Sequence, residues 1–283
     1  MASTPIVVAS GFAFLEGPRW HDGRLFVSDM HAGKVIALDE SGTQETILDL
    51  GDERQPSGLG WLPDGRILVV SMVDRKLLRH EDGGTTVVAD LSAIATYHTN
   101  DMVVDALGRA YVGNFGWDFE SGQKPVPAKL ALVLPDGTTS VVAEDLLFPN
   151  GTVITPDGKT LIVGESFGAR LTAFDVATDG SLSNRRIFAQ LDGKIPDGIC
   201  LDAENAVWLA SPVSNEVVRV REGGEVVDRV ACDQMAIACM LGGADRRTLY
   251  VLTSPSTNRE ECRQKRGARI ESVRVDVPGA GFP

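Results

Sequence analysis

One repeat constrains the fold of this chain more than any other feature of its sequence. Short strand-like runs recur in groups of four, separated by turn signals of Gly, Asp and Pro. The first group reads FLEGPRWHDG, RLFVSDM, KVIALDESG and ETILDL, and the groups follow one another at intervals of about 40 to 50 residues. Units of four short strands at this period are typical of the blades of a β-propeller.

The ends of the chain indicate how the ring closes. Five groups are complete, whereas the sixth lacks its last strand and the stretch PIVVAS near the N-terminus belongs to no group. An N-terminal strand that completes the last blade would leave no open sheet edge. We therefore predict an all-β, six-bladed β-propeller that forms a single domain over residues 1–283, with the N-terminal strand closing the last blade.

Composition excludes several classes of partner. The formal net charge of -12 at pH 7 repels phosphate backbones and anionic lipid, which predicts no nucleic-acid partner and no membrane partner. No apolar run approaches the roughly 20 residues that span a bilayer. The first residues, MASTPIVVAS, lack the basic region of a signal peptide, and the four cysteines lack CxxC spacing. These features favour free thiols in a cytoplasmic protein that is a monomer or a weak homodimer.

Oxygen-bearing side chains occupy one matching position at the start of the innermost strand in four of the units. They lie in the strings LEGP, TND, PNG and PDG, and they are Glu16, Asn100, Asn150 and Asp197. The two remaining units place Ser57 and, approximately, Ala236 there. Innermost strands face the central channel of a propeller, so these positions converge on its axis although they are far apart in sequence.

This cluster predicts a metal site. Two carboxylates at 4 Å repel each other by about 1 kcal/mol in water and by several times more at the dielectric of a protein, so they need a cation, a shared proton or distance. A donor set made of oxygen favours one divalent cation, calcium first, then magnesium or manganese, with iron and zinc as further candidates. Asp and Asn before Gly are also ordinary turn residues. Their shared register, and the non-turn string LEGP, favour the metal site.

The same strings carry a family resemblance. LEGPRW, ND, PNG and PDGICLD together resemble the senescence marker protein and gluconolactonase family, also called the regucalcin family, over nearly the whole chain. The resemblance implies a six-bladed propeller that hydrolyses lactones with one bound divalent cation. It implies Glu16, Asn150 and Asp197 as metal ligands, Asn100 as a further contact with substrate or metal, and Asp101 as a substrate-side residue.

One departure from the family bears on the substrate. Sugar-lactone members tend to carry an arginine two residues before the ND pair, whereas this chain has His98 there. The string NFGWDFE then places Trp117 and Phe119 near the predicted channel mouth. An uncharged imidazole and flat aromatic rings favour a small-molecule lactone or ester that is less polar than a sugar lactone. His98 either donates a proton to the leaving alkoxide, orients the substrate, or is a partly buried strand histidine.

The remaining candidates concern catalysis and the channel mouth. We expect Asp197 to be the base that takes a proton from the attacking water while it also binds the cation. Two long connections, residues 116–129 and 254–268, join the second and third strands of their blades and should overhang the ion. Phe167 and Met30, on the corresponding connections of blades four and one, are weaker candidates for the pocket lining.

Two further expectations concern residues without an assigned role. The connection at residues 254–268 contains STNREECRQKRG, a polar and basic string whose composition favours solvated surface. The remaining histidines, which are His21, His31 and His80, lie beside turn residues, and we assign them no catalytic role.

Three other functions are compatible with the fold. The same ligands could support hydrolysis of phosphotriesters or phosphorofluoridates, or the chain could be a non-catalytic calcium-binding propeller whose ion stiffens the axis. A metal-free propeller similar to strictosidine synthase is a third alternative. The two axial carboxylates, Glu16 and Asp197, argue against the last.

Overall fold

The computed structural model of the chain describes residues 4–51, 53–81, 84–118 and 121–281. Its strands form six small sheets arranged as a six-bladed β-propeller, as the repeat predicts. The N-terminal strand and the first three blades comprise β1 (Ile6–Phe12), β2 (Leu15–His21), β3 (Arg24–Asp29), β4 (Lys34–Leu38), β5 (Gln44–Asp49), β6 (Pro56–Trp61), β7 (Ile67–Ser71), β8 (Lys76–Glu81), β9 (Gly84–Asp90), β10 (Thr99–Val104), β11 (Ala110–Asn114), β12 (Ala128–Val133) and β13 (Thr139–Leu146).

The last three blades follow the same plan. They comprise β14 (Pro149–Ile154), β15 (Thr160–Glu165), β16 (Arg170–Val176), β17 (Leu182–Gln190), β18 (Ile199–Asp202), β19 (Val207–Ser211), β20 (Glu216–Val220), β21 (Val226–Ala231), β22 (Met235–Gly242), β23 (Thr248–Ser254), β24 (Ala268–Arg274) and β25 (Gly279–Ala280). Within each blade the strands are antiparallel, and most are joined by tight turns, whereas long connections join β11 to β12 and β23 to β24. Aspartates such as Asp64, Asp136 and Asp157 stabilise these turns by accepting a backbone N–H two residues further on.

The ring closes at the sixth blade, in which β1 lies outside β24, β23 and β22. This arrangement confirms that the N-terminal strand completes the last blade. Its inward residue Phe12 is buried, whereas Ile6 at its start is 68% exposed. The short strand β25 has no counterpart in the sequence prediction, and it pairs with the innermost strand β18 through Leu201 and Asp202.

Burial follows the radial position of each strand. β10 and β14, which are innermost, are buried at every residue, whereas most residues of β5 at the outer edge are exposed. The innermost strands β2, β6, β10, β14, β18 and β22 contact one another in turn around the ring. The apolar clusters lie between adjacent blades, so the molecule is held together by blade-on-blade packing around a central channel.

Helical structure is confined to short connections in the described ranges. The helix α1 (Arg259–Lys265) lies between β23 and β24, and 3-10 turns occupy Met30–Ala32 and Pro212–Ser214. No helix in this part of the chain has the length and apolar character that crossing a membrane requires.

Candidate metal and active site

The matching position of the repeat lies at the start of each innermost strand, as the sequence predicts. Glu16, Asn100 and Asn150 are each the second residue of their strand, and Asp197 lies two residues before β18. At this position the pairing of β2, β6, β10, β14 and β22 with the next strand shifts register. Such bulges redirect side chains, and here they accompany the turn of the site residues toward the channel.

A cavity of about 200 Å³ occupies this end of the channel. The structure brings together six of the residues proposed from sequence in its lining, which are Glu16, Met30, His98, Asn100, Asn150 and Asp197. The other described residues of the lining are Phe14, His31, Gln55, Met72, Tyr97, Phe115, Phe148, Thr257 and Arg259. The distant strings LEGP, ND, PNG and PDG therefore meet in one cavity.

Hydrogen bonds fix the amide of Asn150. Its Nδ2 donates to Asp197 Oδ1 at 2.6 Å and to Ser166 Oγ at 3.2 Å. Ser166 Oγ in turn donates to the carbonyl of Pro196 at 2.7 Å, which ties the loop before β18 to the same group. Both amide hydrogens of Asn150 are thus used, and its buried Oδ1 accepts no hydrogen bond from the described residues. A buried oxygen without a donor is costly unless a ligand or water compensates it.

Burial also destabilises the ionised form of both acids in the lining. It raises the pKa of Glu16 well above its usual range, and the charges of Asp197 and Asp101 raise that pKa further. Burial raises the pKa of Asp197 to about 7, although the hydrogen bond from Asn150 acts in the opposite direction. Two acids that hold protons this strongly form a site that gains from a nearby cation.

Asp101 has a different environment from the one implied by the family resemblance. It does not line the cavity, because its Oδ1 pairs with Arg19 Nη2 at 2.6 Å and both side chains are almost completely buried. Arg19 also donates to the carbonyl of Met102. Burial raises the pKa of Asp101, and the Arg19 charge acts against this effect. This ion pair links the innermost strands of blades one and three.

Aromatic rings form one wall of the cavity. Phe115 and Phe148 stack with their centroids 4.4 Å apart, and Tyr97 stacks on His98 at 4.0 Å. Burial lowers the pKa of His98, so its imidazole is neutral at neutral pH. The backbone of Phe148 has a φ of 61°, an unusual value for a bulky residue and one that often marks functional sites.

The other aromatic candidates lie outside this lining. Trp117 is 3% exposed and packs behind Phe148, with their rings 5.7 Å apart. Phe167 is 48% exposed and contacts Trp117 at 4.9 Å. Phe119 lies outside the described residues. Trp117 and Phe167 therefore support the aromatic wall from behind rather than facing the cavity.

The cavity is also lined by polar residues that the sequence did not predict. His31, which the sequence gave no role, lines the cavity, and its Nε2 lies 3.4 Å from the carbonyl of Thr257. Thr257 and Arg259 also line the cavity, which confirms that residues 254–268 overhang it. The connection is also solvated, as its composition suggests, because Thr257 is exposed and Arg259 is half-buried. The composition of this connection did not predict its contact with the cavity, because α1 is mostly polar and partly or fully exposed. Only Cys262 of this helix is buried against the propeller.

The donor set fits a hard divalent cation. Among the described residues, no group of three or more His, Cys, Asp and Glu side chains could hold a metal ion by itself. A cation held by Glu16 and Asp197 would therefore need amide oxygens to complete its ligand set. The orphaned Oδ1 of Asn150 is such an oxygen, and Asn100 presents a second amide to the same cavity. Carboxylate and amide oxygens are the ligands that calcium and magnesium prefer.

Comparisons with known proteins found relatives of similar sequence and solved structures of similar fold. A 6-deoxy-6-sulfogluconolactonase from Pseudomonas putida is 27% identical over 281 residues, which cover 95% of this chain and 93% of that protein. The solved structure of a calcium-binding protein, regucalcin, from Agrobacterium tumefaciens is similar with a TM-score of 0.82 at 18% identity, covering 100% of this chain and 97% of that one.

A gluconolactonase structure from Xanthomonas campestris has a TM-score of 0.75 at 22% identity, over 97% of this chain and 89% of that one. These two structures share the fold. Residues 14–255 match the family described as the SMP-30/Gluconolactonase/LRE-like region, and the match includes every acid and amide of the cavity. The chain therefore belongs to the SMP-30/gluconolactonase/LRE-like family.

Proposed function

We propose that this protein is a divalent-cation-dependent hydrolase that opens a lactone or a related ester. The observation that carries the proposal is the meeting of Glu16, Asp197 and the orphaned Oδ1 of Asn150 in one cavity with an aromatic wall. The family match and the relative named as a lactonase support lactone hydrolysis. Calcium is the first candidate for the cation because the donors are oxygens.

Each residue of the site has its own role in the proposed reaction. Glu16, Asp197 and Asn150 would hold the cation, which when bound polarises the lactone carbonyl and stabilises negative charge on its oxygen. Asp197 takes a proton from the attacking water, whose oxygen bonds to the carbonyl carbon. The ring C–O bond breaks, the ring oxygen takes a proton, and a hydroxy acid leaves. Neutral His98 in the same lining orients the substrate, or relays to the ring oxygen the proton that Asp197 has taken.

The aromatic wall supports a substrate that is less polar than a sugar lactone. Phe115 and Phe148 offer flat apolar surface, and His98 stands where sugar-lactone members tend to carry an arginine. Such a wall favours an apolar ring or side chain by removing its surface from water.

The test of the proposal is a substrate panel run after chelation and after separate addition of calcium, magnesium, manganese and zinc. The panel contains δ-valerolactone, gluconolactone, an aryl ester and a phosphotriester. We expect no turnover after chelation and recovery of turnover with calcium. The kcat/KM for δ-valerolactone should be above that for gluconolactone. Turnover confined to the phosphotriester, or no turnover with any metal, would overturn the proposal.

The matched variant is Asp197→Asn, which keeps the size of the side chain and removes the base. We expect kcat to fall by about 10²- to 10⁴-fold, the usual contribution of a positioned base. Circular dichroism and calcium binding by calorimetry separate loss of the base from loss of the fold or of the cation. Normal turnover by this variant would remove Asp197 from the mechanism.

A further inference from the structure

The cavity lining differs from one part to another. The aromatic wall comes from blades three and four, whereas the remaining lining combines the apolar residues Phe14, Met30 and Met72 with four polar ones, which are His31, Gln55, Thr257 and Arg259. These four polar residues come from blades one and two and from the connection that contains α1. A lining that is aromatic in one part and mixed in another is suited to an asymmetric ligand.

His31 leaves one polar atom of this mixed part of the lining without a protein partner. Its side chain is 6% exposed, and its ring packs on Phe14 with centroids 5.0 Å apart. Nε2 must carry the hydrogen to donate to the Thr257 carbonyl, so Nδ1 keeps a lone pair that can accept a hydrogen bond. This buried Nδ1 has no hydrogen-bond partner in the described part of the chain. A ligand with a donor would satisfy it.

Arg259 is held in the same part of the lining by a docked helix. Asn258 caps α1 by accepting from the N–H of Glu261 at 3.0 Å, and Cys262 is buried beside Phe14. Lys265 is paired with Glu261 at 2.6 Å on the solvent side of the helix. The connection is therefore an ordered part of the cavity wall, and the position of Arg259 is set by packing.

Arg259 supplies the fixed positive charge of the lining. Among the described lining residues it is the one cation, because burial lowers the pKa of His31 to about 4, with the charges of Arg259 and Arg263 adding to that effect. The acids of the lining are Glu16 and Asp197. A guanidinium carries five N–H donors, so it can bind an organic anion and keep its other contacts.

We propose that the part of the lining formed by Gln55, Thr257 and Arg259 is a subsite for an anionic substituent of the substrate, next to His31, whose Nδ1 lone pair would accept from a donor on the same ligand rather than contact the anion. The substrate class is then a lactone with an apolar body and one carboxylate or sulfonate group. The apolar body of the substrate lies on the aromatic wall, and its anion contacts Arg259. In this orientation the lactone carbonyl lies beside the water from which Asp197 takes a proton. This inference rests on the proposed function and names the substrate class of the same site.

The test compares δ-valerolactone with a δ-valerolactone that carries a carboxylate substituent. Wild-type protein should have the higher kcat/KM on the charged lactone. Arg259→Gln should lower kcat/KM for the charged lactone by about 10- to 150-fold, mainly through KM, which is the range for a hydrogen bond to a charged group. The same variant should change the neutral lactone by less than about twofold, and Arg259→Lys should recover part of the loss.

Lys265→Gln is the matched control, because it removes one positive charge from α1 at a site outside the cavity lining. We expect it to leave both lactones unchanged. Equal losses on the two lactones in Arg259→Gln, or equal losses in Arg259→Gln and Lys265→Gln, would overturn the subsite.

Ligand binding separates this inference from the proposed hydrolysis. Phenylmethanesulfonate is a poor metal ligand, and phenylmethanesulfonamide is its neutral analogue. Calorimetry with calcium present should show tighter binding of the sulfonate to wild type and no preference in Arg259→Gln, even if no lactone turns over. Equal binding of the two compounds to wild type would overturn the subsite and leave the proposed hydrolysis untouched.

Discussion

At the scale of single residues, the site is defined by groups that are poorly solvated. Glu16 and Asp197 are acids whose charge burial disfavours, and Asn150 presents an oxygen without a donor. Each of these features destabilises the folded protein, and the proposed cation would relieve it. On this proposal, the residues of the site lower the stability of the protein when no cation is bound.

This coupling predicts a pH dependence of the metal-free protein. Folding raises the pKa of Asp197 from 3.8 to about 7, so between these values the folded state binds more protons than the unfolded state. The free energy of unfolding then falls as pH rises through this window. In chelator, we expect Asp197→Asn to gain melting temperature relative to wild type between pH 4 and pH 7, and saturating calcium to cancel the gain. Parallel curves for the two proteins in chelator would contradict this expectation.

A second prediction concerns the buried ion pair between Arg19 and Asp101. Arg19→Met leaves a buried carboxylate without its cation, which costs about 3–5 kcal/mol of unfolding free energy. Adding Asp101→Asn should restore a large part of that loss. Arg24→Met is the control, because it breaks a more exposed pair with Glu45 of similar length, 2.8 Å, worth at most about 1 kcal/mol. Urea denaturation measures all four proteins, and similar losses for the two arginines would contradict the argument.

At the scale of the strands, the site depends on how closely the innermost strands approach one another. A Cβ on Gly151 would lie 2.5 Å from both the Asp197 carbonyl oxygen and the Ile199 nitrogen, and one on Gly198 would lie 2.3 Å from the Cβ of Ala238. Each glycine follows directly after a site residue in sequence. The strings PNG and PDG therefore combine a polar side chain with the room that lets the next strand pack beside it.

Gly151→Ala should thus disturb both stability and the site. Because the atoms in contact are backbone atoms, β14 and the loop before β18 must move apart, which shifts Asn150 away from Asp197. We expect a loss of more than about 2 kcal/mol in unfolding free energy and weaker calcium binding. Gly23→Ala, at a φ of 75° with open space around it, isolates the cost of backbone strain alone, about 1–3 kcal/mol. Unchanged calcium affinity in Gly151→Ala would show that the site tolerates the displacement.

At the scale of the whole molecule, the ring is closed by chain segments that are distant in sequence. β1 pairs with β24 at the outer edge of blade six, and β25 pairs with β18 at the inner edge of blade five. Without β1, the sixth blade would expose an unpaired edge on β24. The N-terminal strand is therefore part of the architecture that keeps the innermost strands around one axis.

Paired substitutions on β1 test this closure. Phe12 is 3% exposed in the core shared by blades one, five and six, so Phe12→Ala should cost about 3–5 kcal/mol. Ile6 on the same strand is 68% exposed, and Ile6→Ala should change stability by less than about 0.5 kcal/mol. Thermal or urea unfolding distinguishes them, and an equally small effect of both would mean that β1 contributes little to the ring.

The sequence by itself determined the repeat, the number of blades, the closure by β1 and the matching position of Glu16, Asn100, Asn150 and Asp197, which all line the cavity. These features are local, because each string carries its own strand pattern, turn residues and side-chain register. Only the tertiary structure decided which other residues line the cavity with Glu16 and Asp197. In the folded protein Asp101 pairs with Arg19, Trp117 packs behind Phe148, and His31 and Arg259 line the cavity. The physical reason is that these contacts join residues of different blades or of the connection that contains α1. The position of a residue within its own repeat does not determine which residue of another blade it will contact.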